Sequence, residues 1–101
     1  MEIYTVTAIQ KIQPSNLHRF ADIGDHRCVG FFENKNEAEN AVLNNDNNIH
    51  DNIYEYAIVE QMSSGIKTRD ISRSVYHWNG KAYEKIMVPS LLKYMSNFGI
   101  G

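Results

Sequence analysis

The stretch Ser74-Val-Tyr-His-Trp-Asn-Gly-Lys-Ala-Tyr-Glu-Lys85 decides how the rest of the chain is read. Two runs rich in aromatic and β-branched residues flank Asn79-Gly80. That dipeptide favours a two-residue hairpin turn, because both central positions of such a turn need positive φ. The turn predicts the cross-strand pairs Trp78–Lys81, Tyr76–Tyr83 and Ser74–Lys85. Side chains alternate across a strand, so Tyr76, Trp78 and Tyr83 share one face with Lys81 and Lys85.

Upstream, residues 2–10 alternate tightly, with Tyr4, Val6 and Ala8 on one face and Ile3, Thr5, Thr7 and Ile9 on the other. Both faces can be buried, which predicts a central strand. Residues 27–33 predict a second strand and residues 53–62 a third, in which Tyr54, Tyr56 and Ile58 alternate with Glu55, Ala57 and Val59. Between the last two, Asn34 can accept from first-turn N–H groups, and Glu37 stands three residues on. Ala38, Ala41 and Val42 then form an apolar stripe that predicts a helix lying on the sheet. The run from Asn44 to Asn48 ends it, since asparagine side chains compete for the backbone and favour turns. Strand, helix and strand in this order place the first strand between the second and third, antiparallel to both. Pro89-Ser90 opens a short C-terminal helix carrying Leu91, Leu92, Met95 and Phe98, with Gly99 as its stop. The expected fold is α+β: a mainly antiparallel sheet of about five strands, one central helix and a short C-terminal helix, in a single domain over residues 1–101.

The chain has 101 residues, 43% of them hydrophobic and 11% aromatic, the composition of a folded domain with its own core. No apolar run reaches a membrane span, and the start has no signal-peptide pattern. A single cysteine, Cys28, excludes an internal disulfide and fits a reducing cytoplasm. The net charge of −2 conceals an asymmetry: residues 1–62 hold four Lys/Arg against ten Asp/Glu, and residues 63–101 hold six against two. That polarity allows one acidic and one basic face. Duplex DNA calls for a stronger positive field than this chain has.

Several short pieces resemble a group of small α+β proteins from bacteria and their phages. They are Gly24-Asp25-x-Arg27, Gly30-Phe31-Phe32, residues 54–60 (Tyr-Glu-Tyr-Ala-Ile-Val-Glu), Tyr76-x-Trp78 and the ending Asn97-Phe98-Gly99-Ile100-Gly101. The resemblance implies phage or mobile-element ancestry and, with it, a role against host defence. It carries over no catalytic or binding residue.

The residues themselves nominate two sites. The first is the hairpin face: Tyr76, Trp78 and Tyr83 would stack a base, while Lys81, Lys85, Arg69 and Arg73 would bind phosphate. Against it stands a simpler account, in which Tyr76 and Tyr83 pack against the helix as core. The second is the loop Asp25-His26-Arg27 at the mouth of a long connection. There His26 and Cys28 share a face, but they match no cysteine-hydrolase signature, and a buried packing cysteine is the better account. The histidines are scattered, no metal-ligand spacing occurs, and no cofactor is implied. The expected function is therefore non-enzymatic: sequestration of a small anionic, nucleotide-like ligand such as a bacterial immune signal. The alternative is a protein-binding inhibitor of a host defence factor such as a CRISPR effector. An exposed hairpin edge adds an expectation of self-association, with a symmetric dimer as the default.

Overall fold

β1 (Glu2–Ile9) lies between β2 (His26–Phe32) and β3 (Tyr56–Ser63) and runs antiparallel to both, as the strand–helix–strand order predicts. β4 (Arg73–Trp78) pairs with β3, and β5 (Tyr83–Ile86) with β4, so the sheet order is β2-β1-β3-β4-β5. The structure, a computed structural model, describes residues 2–14, 22–63 and 72–92. All the pairings are antiparallel. The fold is the expected α+β arrangement, with one main helix. At the C-terminal end the described chain forms a 3-10 turn at Ser90–Leu92. Met95, Phe98 and Gly99, which would extend it, lie outside the described residues.

α1 (Lys35–Leu43) begins where its cap dictates. Asn34 has extended backbone angles, and its side-chain oxygen accepts from the N–H groups of Asn36 and Glu37. Ala38, Ala41 and Val42 are its buried residues, the stripe that the sequence offers. The asparagine run past its end turns through left-handed positions at Asn45, Asn47 and Asn48, then again at Asp51 and Asn52. Asn and Asp tolerate this region because their short polar side chains bond locally. Asn45 does so, accepting from the His50 N–H at 2.9 Å.

The sheet buries residues on both faces. Toward α1 lie Val6, Ala8, Ala57, Val59, Tyr76 and Tyr83, joined by Ala38, Val42, Ile49 and Tyr54. Against the other face Leu92 covers Ile9, Ile58 and Val75. One placement departs from the sequence reading. Tyr54 precedes the strand, which starts at Tyr56, and joins the α1-side cluster instead of sharing the face of Tyr56. The turn at Asp51 and Asn52 delivers it there, so strand alternation does not apply at that point. No helix among the described residues is long and apolar enough to cross a membrane.

Burial of Tyr76 and Tyr83, at 1% and 2% exposure, pushes both phenols above their ordinary range, and the nearby Glu39 and Glu55 carboxylates add to the effect. A folded-state pKa raised above the unfolded value gives stability that is complete below about pH 10 and is lost as pH rises. Each phenol removes about 1.4 kcal/mol per pH unit above that point, until the folded form itself ionises. The expected result is a two-stage tyrosine titration by ultraviolet absorbance. The second stage coincides with loss of the native circular-dichroism signal. Ionisation of all six tyrosines in one step near the ordinary pKa, with the fold intact, would contradict the buried placement.

Candidate functional site

The hairpin keeps its predicted face but not its predicted register. Trp78 pairs with Tyr83 and Tyr76 with Lys85, so the loop contains Asn79, Gly80, Lys81 and Ala82. Asn79 builds this longer turn: its side-chain oxygen accepts from the N–H groups of Lys81 and Ala82, and its own N–H donates to the Ala82 carbonyl. Only Gly80 of the turn takes positive φ. A shift of two residues preserves side-chain parity, so Tyr76, Trp78, Tyr83 and Lys85 still share a face.

That face is core. Tyr76 and Tyr83 sit under α1, and the Tyr83 hydroxyl donates to the Tyr54 carbonyl at 2.7 Å. Trp78 is half-buried: His50 stacks on its ring at 3.9 Å with planes 7° apart, and Tyr83 meets it edge-on at 5.1 Å. The basic groups are dispersed as well. Arg73 is buried and donates from Nε to Glu60 at 2.8 Å and from Nη1 to the Leu92 carbonyl at 3.0 Å. Lys85 lies 3.6 Å from Glu39, and Lys81 is exposed in the turn. Arg69 lies outside the described residues. The structure thus corrects the first nominated site, because Tyr76, Tyr83 and Arg73 are spent on the protein's own interior and do not form an open stacking and phosphate platform.

The second nominated segment stays together, in a structural role. Asp25 accepts from the Tyr54 hydroxyl at 2.9 Å, which raises the phenol's pKa. Arg27 lies over the Tyr54 ring at 5.4 Å and 4.0 Å from Asp51. His26 and Cys28 face the same side, opposite Ile9 and Thr7. Cys28 is exposed, correcting the expectation of a buried packing cysteine, because β2 is an edge strand of the sheet among the described residues. Among the described residues no group of three or more His, Cys, Asp or Glu side chains is arranged to hold a metal ion.

The feature that the sequence did not single out is the edge on which Arg27 and Cys28 lie. The two sheet edges differ. β5 is four residues long and has exposed, charged Glu84 and Lys85 at its centre, two devices that protect an edge from pairing. β2 is seven residues long and carries no charge from Cys28 to Phe32. Val29 and Phe31 are exposed by 40% and 64%. Val29 is the extra residue of a β-bulge: Gly30 pairs with Val6 and Cys28 with Thr7, and nothing on β1 opposes Val29. Beside this edge runs a groove of about 620 Å³, bounded by β2, Ala41 of α1, and the turn carrying Asp46, Asn47 and Ile49. Two signals for it were present in the sequence, a glycine within a strand and a run of asparagines able to turn left-handed.

No protein family, no curated protein and no solved structure matches the chain.

Proposed function

We propose that the protein is a non-enzymatic binding module that captures an extended segment of a partner protein along the outer edge of β2. The contrast between the two edges carries this reading: β5 is short and charged, while β2 is longer, uncharged over its central part and bordered by exposed Val29 and Phe31. An open edge supplies main-chain donors and acceptors to any extended chain, and adjoining pockets add sequence preference. In the setting of the resemblance to small phage and bacterial proteins, the partner is a host defence factor and the module is its inhibitor. Sequestration of a nucleotide-like ligand draws less support, since Tyr76, Tyr83, Arg73 and Lys85, four of the groups meant for it, are engaged in intramolecular contacts.

Selection of a displayed library of random short peptides tests the proposal. Peptides enriched on the native protein should bind a Val29→Lys/Phe31→Lys variant at least about tenfold more weakly, because edge lysines oppose strand pairing. A Lys81→Ala variant, altered on the hairpin turn, should bind them unchanged. Absence of enrichment, or enrichment indifferent to the two β2 lysines, contradicts strand capture.

A further inference from the structure

We infer that the groove beside β2 is the specificity pocket of this edge, and that it takes an apolar side chain from an extended partner segment bearing a lysine or arginine close by. The inference rests on the strand-capture reading above and names the chemistry of the captured chain.

Three observations converge on it. The first is Gly30. It lines the groove at the position paired with Val6, in the middle of a strand, where glycine is costly. Among the described residues the left-handed glycines are Gly24 and Gly80, so the backbone at Gly30 does not require one. No heavy atom lies within 4 Å of where its Cβ would stand, so crowding does not require one either. What the missing side chain provides is an open groove mouth at the strand that a partner would join. The apolar lining of Val6, Phe32, Ala41 and Ile49 then suits an aliphatic or aromatic side chain.

The second is charge. Residues 22–55 contain eight Asp/Glu against two Lys/Arg. Both of these bases face acids, Arg27 at 4.0 Å from Asp51 and Lys35 at 3.9 Å from Glu39. Asp46 and Arg27 both line the groove, and because Arg27 is already paired with Asp51, the unbalanced charge at the groove is that of Asp46. Such surroundings attract a cationic segment and repel phosphates and carboxylates. In an extended chain, residues two positions apart point to the same side. A lysine or arginine two places from the inserted side chain therefore faces the acidic side of the groove.

The third concerns the rival occupant, a second copy of this chain. Two-fold antiparallel pairing of β2 with itself would bring two bulges together near the axis and two acidic surfaces side by side. A partner segment without a bulge and with the opposite charge meets neither obstacle.

Synthetic copies of the library-selected peptides test the inference on the full chain and on three variants. The selected sequences should carry an aliphatic or aromatic residue with lysine or arginine two positions away. Gly30→Val, which fills the mouth where space is free, should weaken binding at least about tenfold with thermal stability unchanged or raised. Asp46→Lys, an exposed change, should weaken it by a similar factor and flatten its salt dependence; this variant carries the test if Gly30→Val perturbs folding. If both bind as the native chain does while Phe31→Lys does not, the edge captures strands without using the groove, and the inference is overturned. If Phe31→Lys also binds normally, strand capture itself fails. Selected peptides lacking the basic–apolar pattern overturn the inference, as does a dimer that Phe31→Lys disperses and that competes with them.

Discussion

Replacing Arg73 with methionine should cost the fold about 3–5 kcal/mol, because it takes the guanidinium at 2.8 Å away from a buried carboxylate. Glu60 is fully buried and the Arg73 side chain is 7% exposed, with 2.8 Å between Nε and the carboxylate oxygen. The two residues are direct partners across β3 and β4, and Arg73 also ties the Leu92 carbonyl to the sheet. Breaking one side of a buried pair leaves the desolvation cost of the other side uncompensated. Exchanging both sides for apolar groups removes that cost. The double variant Arg73→Met/Glu60→Leu should therefore recover most of the loss in a urea-unfolding series. Equal losses in the single and double variants, or losses that simply add, would contradict a coupled pair.

Tyr83→Ala should cost about 3–5 kcal/mol as well, by a different route: a cavity in place of a large core side chain. Tyr83 is 2% exposed, meets Trp78 edge-on at 5.1 Å and His50 at 6.1 Å, and donates to the Tyr54 carbonyl. Tyr83→Phe retains the packing and should cost about 1–3 kcal/mol, the penalty for a buried acceptor left unpaired. Both follow from denaturant unfolding, and Trp78 fluorescence should change in the alanine variant because Tyr83 packs on the indole. A stable Tyr83→Ala protein would contradict the assignment of the hairpin face to the core and return it to the surface as a ligand platform.

Local rules read much of this fold correctly. Asn34, Ala38, Ala41 and Val42 carry the helix in their own spacing, and the two apolar faces of β1 announce a strand with neighbours on both sides. The hairpin was legible in parity but not in register. Asn79-Gly80 suits a two-residue turn, yet Asn79 uses its side chain to close a four-residue loop, and a slip of two leaves the faces unchanged. Whether the Tyr76–Trp78–Tyr83 face meets solvent or a helix is a tertiary matter that alternation cannot decide. The same holds for Cys28, whose exposure follows from the position of β2 at an edge. The groove was hidden for a further reason. Gly30, Ala41 and Asp46 come from a strand, a helix and a turn, and only the packing of α1 on the sheet brings them together.

Hydrogen exchange along β2 reads strand capture amide by amide. In an edge strand the amides alternate between those bonded to β1 and those facing outward. The outward-facing amides between Arg27 and Phe32 should exchange fast in the free protein and become protected when a selected peptide is added. The hairpin amides of β4 and β5 should not change. Uniform protection of β2 in the free protein, or peptide-induced protection at the hairpin in place of β2, would contradict strand capture.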